Sequence, residues 1–238
     1  MYSKEHKNIE GVPNFVATEL VERKTKYCLC IPIINEADRI HKQLERAQKN
    51  GIDKLVDIII CDGDSTDGST DLFQLQKLGV NTVLVKKDFG KQGAQLRMGF
   101  WFALERGYEG ILTIDGNNKD SIESVSLFID KLEAGYDFIQ GSRYVAGGKA
   151  INTPLIRHLA VQFIHSPLIS LTAGHKFTDS TNAYRAYSKK YLTHDKVKPF
   201  RAIFVTYELL AFLSVRASQL GLKVGEVPVE RRYPEKGK

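Results

Sequence analysis

Three of the five carboxylates in one short stretch, VDIIICDGDSTDGSTDLF, residues 56–73, crowd into its middle. An oily run ends at Cys61, and Asp62, Asp64 and Asp67 follow among glycines and hydroxyls. Carboxylates in that setting can attack a phosphate, hold a hard cation, accept a hydrogen bond from a nucleotide base, or cap a helix. Asp62-Gly63-Asp64-Ser65-Thr66 has the DxDxT form of a nucleophile paired with a general acid, chemistry that hydrolyses phosphate esters with Mg²⁺. That reading calls for the motif on the first strand of the domain and a late acidic pair. Here the motif follows the second apolar run, and the later acidic strand end is Asp115-Gly116-Asn117, which lacks that spacing. Ser65, Asp67 and Ser69 suit the cap of the next helix. Capping leaves Asp62, at the strand tip, unexplained.

The elements that must position these groups alternate. Residues 27–34 are continuously apolar, which suits a strand buried on both faces. Residues 36–50 carry Ile40, Leu44 and Ala47 at helical spacing before Gly51. Strands are predicted at 55–61, 80–85, 110–114, 136–141 and 224–229. Helices are predicted at 71–78, 92–106, 121–134 and 204–220. Residues 155–170 are apolar but interrupted by Arg157, His158, His165 and Pro167. Strand, helix, strand with short links predicts an α/β fold with a predominantly parallel sheet flanked by helices, in one domain. Residues 1–24 read as an N-terminal extension and 230–238 as a mobile basic tail. Ligands of such sheets bind outside the carboxyl ends of the strands. The predicted strands end in Asn35-Glu36, Asp62-Gly63-Asp64, Asp115-Gly116-Asn117 and Ser142-Arg143, so four polar strand ends share one crevice.

Taken in order, those ends carry a resemblance. Ile31-Pro32-Ile33-Ile34-Asn35-Glu36 resembles the first-strand motif of family 2 glycosyltransferases of the GT-A (Rossmann-like) fold. Asp62 to Ser69 is similar to their second-strand motif, and Gly90-Lys91 with Gly93, Ala94 and Gly99 to their glycine-rich helix start. Asp115-Gly116-Asn117 stands at the DxD position. Gly141-Ser142-Arg143-Tyr144, Gly147-Gly148, Asp179 to Arg185 and Glu226-Val227-Pro228 complete the series. The pattern runs from about residue 27 to the C-terminus and most resembles the dolichyl-phosphate mannose synthase-like branch.

The resemblance implies an inverting hexosyltransferase that moves a sugar from a GDP- or UDP-sugar to a polyprenyl phosphate at a membrane surface. It implies Mg²⁺ or Mn²⁺ on Asp115 and Asn117, where hard oxygen ligands stabilise a departing diphosphate. Asp115, Asn117 and Asp179 are the implied catalytic residues. Pro32, Asn35, Glu36, Asp62, Asp64 and Lys91 are implied around the nucleotide, with Asp62 accepting from the base. Arg143 and Arg157 are implied for the acceptor phosphate, and Arg232, with Arg231 and Lys236, for the diphosphate. Asn117 departs from the usual Asp, and Lys119 from the branch's Gln. A sugar hydroxyl acceptor would need a base, for which Asp179 and Glu208 are the candidates. A phosphate monoester, with its second pKa near 6, needs none. A saccharide acceptor, a phosphatase and a nucleotide-binding module without turnover are the competing readings.

Composition bounds these readings. The chain has 238 residues, 42% hydrophobic and 26% charged, with net charge +6, the profile of a folded protein drawn to anionic partners. Lys and Arg are spread without an aromatic-interleaved patch, against nucleic acid. No G-x-G-x-x-G follows the first strand, against a nicotinamide dehydrogenase. Cys28, Cys30 and Cys61 sit in strand-like runs without framework spacing and read as small core residues of a reducing, cytoplasmic compartment. No stretch reaches the length of a spanning helix, so membrane contact is expected to be peripheral. The sequence leaves the oligomeric state open.

Overall fold

Among the described residues, nine strands, numbered in chain order, form one sheet in the order β1-β2-β5-β4-β3-β6-β9-β7-β10. The structure, a computed structural model, describes residues 1–235. The strands are β1 (Tyr2–His6), β2 (Phe15–Glu19), β3 (Tyr27–Ile33), β4 (Asp57–Asp62), β5 (Val80–Lys86), β6 (Gly110–Thr113), β7 (Phe138–Ser142), β8 (Lys149–Ile151), β9 (Arg185–Ser188), β10 (Val224–Pro228) and β11 (Glu230–Arg232). β3 pairs in parallel with β4 and β6, β4 with β5, and β7 with β10. β2 and β9 run against the rest, and β9 is wedged between β6 and β7. β8 and β11 form a separate parallel pair. The mostly parallel α/β sheet expected from the sequence is present, with these two antiparallel insertions.

The helices are α1 (Ala37–Lys49), α2 (Ile52–Leu55), α3 (Leu72–Lys77), α4 (Gln92–Glu105), α5 (Val125–Glu133), α6 (Leu155–Ala160), α7 (Ser166–Ala173), α8 (Lys189–Leu192) and α9 (Glu208–Gln219). β3 and β4 are buried along nearly their whole length because apolar layers cover both faces. One layer centres on α4 and α9, with Leu96, Phe100, Leu209 and Leu213. The other sets Ile40 and Leu44 of α1, Leu75 of α3 and Phe128 of α5 against Ile31, Ile58 and Ile60. All three cysteines are free and buried. A Cβ on Gly99 would stand 2.6 Å from the Cys61 sulfur, so glycine lets α4 lie directly on β4.

Several elements differ from expectation. The first 24 residues are not appended to the sheet but form part of it. β1 pairs with β2, and β2 with β5. β1 lies at the sheet margin, exposed at four of its five positions, so no alternation marks it. The end of the chain is likewise no loose tail through residue 235, because β11 pairs with β8. Lys236 lies outside the described residues. The last long helix starts at Glu208 rather than 204, and the Glu208 carboxylate accepts from Thr206 N at 2.7 Å and Thr206 Oγ1 at 2.7 Å, which ties the preceding loop to the first helical residue. Residues 155–173 are helical throughout. A π-helical turn at Val161–His165 joins α6 to α7 and absorbs Pro167, whose missing N–H would otherwise break the ladder.

Candidate active site

The crevice is built from the carboxyl ends of β3, β4 and β6. Asp62 ends β4 at 1% exposure. Its Oδ2 accepts from the Asp64 and Ser65 amides, both at 2.8 Å, and its Oδ1 from Ser65 Oγ at 2.5 Å. The carboxylate therefore folds its own loop. This arrangement disfavours Asp62 as a phosphatase nucleophile, which must reach a phosphorus atom. The loop is clamped to the end of β3. Asn35 N donates to Ser65 Oγ at 2.8 Å, Thr66 N to Asn35 Oδ1 at 2.9 Å, and Glu36 N to Ser69 Oγ at 3.0 Å. Ser69 and Asp67 thus cap α1, accepting from Ala37 N, rather than the helix that follows them; Asp71 caps that one. Gln95, buried on α4, donates to the carbonyls of Ile33 at 2.6 Å and Cys61 at 2.9 Å, locking the two strand ends together.

The predicted nucleotide residues Pro32, Asn35, Glu36, Asp62 and Asp64 accordingly share one rim. Asp64 is exposed and pairs with Lys87 at 2.7 Å. Glu36 pairs with Arg39 at 2.7 Å, and burial pushes its carboxyl up. Lys91 is exposed at the start of α4. The next residue, Gln92, donates to Asp115 Oδ1 at 2.9 Å.

Asp115 lies just beyond β6, beside Gly116, where a Cβ would meet Ile33 Cγ2 at 2.4 Å. Its Oδ2 accepts from both terminal nitrogens of Arg231 at 3.2 Å. Arg231 also pairs with Asp120, a carboxyl that burial holds up at about 7 against the downward pull of the Arg231 cation. The predicted diphosphate residue Arg232 is turned the other way, exposed and paired with Glu230 at 3.0 Å. Successive strand residues face opposite sides, so on β11 Arg231 enters the site and Arg232 leaves it. Only the pairing of β11 with β8 decides which, and the sequence does not display it.

For a divalent ion, the donor set offers the Asp115 carboxylate and the Asn117 carbonyl, which also accepts from Lys119 N at 3.2 Å. Among the described residues no group of three His, Cys, Asp or Glu forms a closed metal cage. Two hard oxygens on an open edge fit Mg²⁺ or Mn²⁺, which take one or two protein ligands and fill the rest from phosphate and water. Arg231 and such an ion would compete for the same Asp115 oxygen.

On the far side of the crevice, Arg143 and Asp179 form an ion pair with both side chains almost wholly buried. Arg143 Nε donates to Oδ2 at 2.7 Å and Nη2 to Oδ1 at 2.9 Å, and Nη2 also reaches Thr181 Oγ1 at 2.8 Å. The predicted acceptor cation and the predicted base thus bind each other. Glu226 accepts from the Thr178 and Asp179 amides at 2.9 and 3.3 Å and holds the pair in place. Arg157 is exposed on α6, with Nη1 donating to Tyr233 Oη at 2.8 Å. The Tyr233 ring also faces the Arg231 guanidinium, 5.6 Å away. Asp115, Arg231, Tyr233 and Arg157 therefore form one connected chain across the crevice. Sequence reasoning missed Tyr233, Gln92 and Gln95; their side-chain types gave no signal.

Comparison with known proteins agrees with this architecture. The profile of glycosyl transferase family 2 matches residues 28–195, and the chain belongs to that family. It is 31% identical over 177 residues to polyprenol monophosphomannose synthase of Mycolicibacterium smegmatis, covering 73% of this chain and 66% of that protein. It is 28% identical over 209 residues to undecaprenyl-phosphate mannosyltransferase of Micrococcus luteus, covering 84% of this chain and 80% of that one. In structure it resembles glucosyl-3-phosphoglycerate synthase of Mycobacterium tuberculosis, solved with Mn²⁺, UDP and phosphoglyceric acid. The TM-score there is 0.61 and the identity 15%, over 90% of this chain and 72% of that one. The likeness establishes the GT-A fold expected from the sequence.

Proposed function

We propose that this protein is an inverting hexosyltransferase moving a sugar from a nucleoside-diphosphate sugar, GDP- or UDP-linked, to a polyprenyl phosphate at the cytoplasmic membrane surface. The observation that carries this reading is the state of the two candidate bases. Asp179 is committed to Arg143, and Glu208 to Thr206. A hydroxyl acceptor would need one of them free, whereas an acceptor phosphate ionises without help. The relatives named for polyprenyl phosphate acceptors support the same class.

In this reading an acceptor phosphate oxygen, drawn by Arg157, forms the new bond to the anomeric carbon on the face opposite the nucleotide. The bond from that carbon to the diphosphate breaks, and its electron pair leaves with the nucleoside diphosphate. No proton need move. Asp62 and Asn35 shape the rim that holds the nucleoside. Arg231, already in the site, offers its cation to the departing diphosphate. A Mg²⁺ or Mn²⁺ ion on Asp115 and Asn117 would add charge neutralisation there. Asp115 and Asn117 keep their assignment as catalytic ligands. Arg143 and Asp179 take a supporting role, shaping the acceptor wall.

The test is direct. Protein, radiolabelled GDP-mannose or UDP-glucose, Mn²⁺ and a polyprenyl phosphate are incubated, and label is followed into organic solvent. A mild-acid-labile lipid product is expected. Transfer to a soluble saccharide alone would overturn the acceptor assignment.

A further inference from the structure

The helical segment 155–173 is built inside out. Three of its polar side chains, Gln162, Ser166 and Ser170, face the protein. Gln162 donates to Thr178 O at 3.3 Å, Ser166 Oγ lies 3.3 Å from Ser180 Oγ, and Ser170 Oγ accepts from Phe177 N at 2.9 Å. Most of its large apolar side chains face outward, with Val161 and Ile169 turned in. Ile156 is 85% exposed, Phe163 74% and Leu171 82%, with Leu155, Leu159 and Leu168 beside them. Single exposed apolar residues are ordinary, but a run of them along one continuous helical surface marks an interaction site.

Charge says what that surface meets. From Phe138 to Thr178 the chain has no acidic residue, while Arg143, Lys149, Arg157 and Lys176 carry positive charge. Arg157 sits within the apolar segment and reaches Tyr233, whose ring faces Arg231 and so connects to Asp115. An apolar face with cations and no acids fits the headgroup boundary of an anionic bilayer, where such helices lie in the plane. The segment is held to the domain by its polar face and by the packing of α7 on α9, and among the described residues no helix is long and apolar enough to cross a membrane.

We propose that α6, the π-helical turn and α7 dock this protein on an anionic lipid bilayer, seating Leu155, Ile156, Leu159, Phe163, Leu168 and Leu171 among the acyl chains near the headgroups. Arg157 then stands at headgroup level, where the phosphate of a membrane-held acceptor lies. The partner's identity rests on the lipid-acceptor reading above, but docking is measured without turnover.

Wild-type protein and the double variant Phe163→Asp/Leu171→Asp are sedimented with vesicles of phosphatidylcholine, with and without about one-third phosphatidylglycerol. Wild type is expected to pellet with the anionic vesicles and the variant to stay in the supernatant, at least tenfold less bound, with an unchanged melting temperature because both positions are exposed. In transfer assays the variant should lose most activity on long polyprenyl phosphate in vesicles and keep it on a short, water-soluble prenyl phosphate. Equal pelleting of wild type and variant, or no pelleting of wild type, overturns docking. A wild-type dimer in solution that the variant dissolves would overturn it too, assigning the face to a second copy. Pelleting lost in the variant, with no transfer to any prenyl phosphate by wild type, upholds docking and sinks the acceptor reading alone.

Discussion

On the side of the crevice proposed for the donor, carboxylates are turned inward and satisfied: Asp62 by its own loop, Asp115 by Gln92 and Arg231, Asp120 by Arg231 and Asn182. On the side proposed for the acceptor, one arginine is sealed against Asp179, another stands in the open on α6, and the apolar residues around it face out. In the proposed function the difference separates two jobs. A soluble nucleotide needs a rim already held in shape by the protein, since each ordered group costs entropy if fixed only on binding. A lipid acceptor arrives from an apolar phase, so its side of the protein must be apolar with a cation at the right depth.

The largest effect that sharpens this contrast comes from the buried arginine. Removing one partner of a buried ion pair leaves an uncompensated charge, so Arg143→Ala should cost about 3–5 kcal/mol in urea unfolding. The paired change Arg143→Met/Asp179→Leu should recover much of that. If Arg143→Ala is fully stable yet blind to lipid acceptor, Arg143 belongs with Arg157 after all. On the donor side, Asp62→Ala frees the amides of Asp64 and Ser65 and should weaken nucleotide affinity by at least about 100-fold, roughly 2.7 kcal/mol, in titration calorimetry. Unchanged affinity would remove Asp62 from the nucleotide rim.

Much of this was legible in the sequence. Continuous apolar runs marked β3 and β4, and their polar ends marked the crevice, because a strand buried on both faces must become polar where it meets solvent. What escaped were features set by partners distant in sequence. The antiparallel β9, inside DSTNAYRAYS, is short and follows a motif that reads as a loop. The choice of Arg231 over Arg232 depends on the register of β11 against β8. The pairing of Arg143 with Asp179 joins residues 36 positions apart, and nothing local announces it.

Smaller effects probe the same boundary. Arg157→Ala removes an exposed cation and should leave the melting temperature unchanged while raising the KM for lipid acceptor about tenfold, near 1.4 kcal/mol. A matching change in donor KM would move Arg157 to the nucleotide side. Smallest, Asn117→Asp adds a negative oxygen ligand and should keep activity while tightening Mn²⁺ by a few-fold in metal titrations. Arg231→Gln should tighten Mn²⁺ too, by freeing the Asp115 oxygen, while slowing departure of the diphosphate. A dead but folded Asn117→Asp variant would mean that Asn117 does something other than ligate metal.

Whether the acidic strand ends receive a nucleoside diphosphate with a divalent ion is decided by thermal unfolding against GDP, UDP and their sugars, with Mn²⁺, Mg²⁺ or EDTA. A ligand at 100 times its dissociation constant adds about 2.7 kcal/mol. Stabilisation by one nucleotide family that disappears in EDTA is the predicted result. No shift with any nucleotide, in the presence of either metal, would mean that these strand ends do not form a nucleotide site.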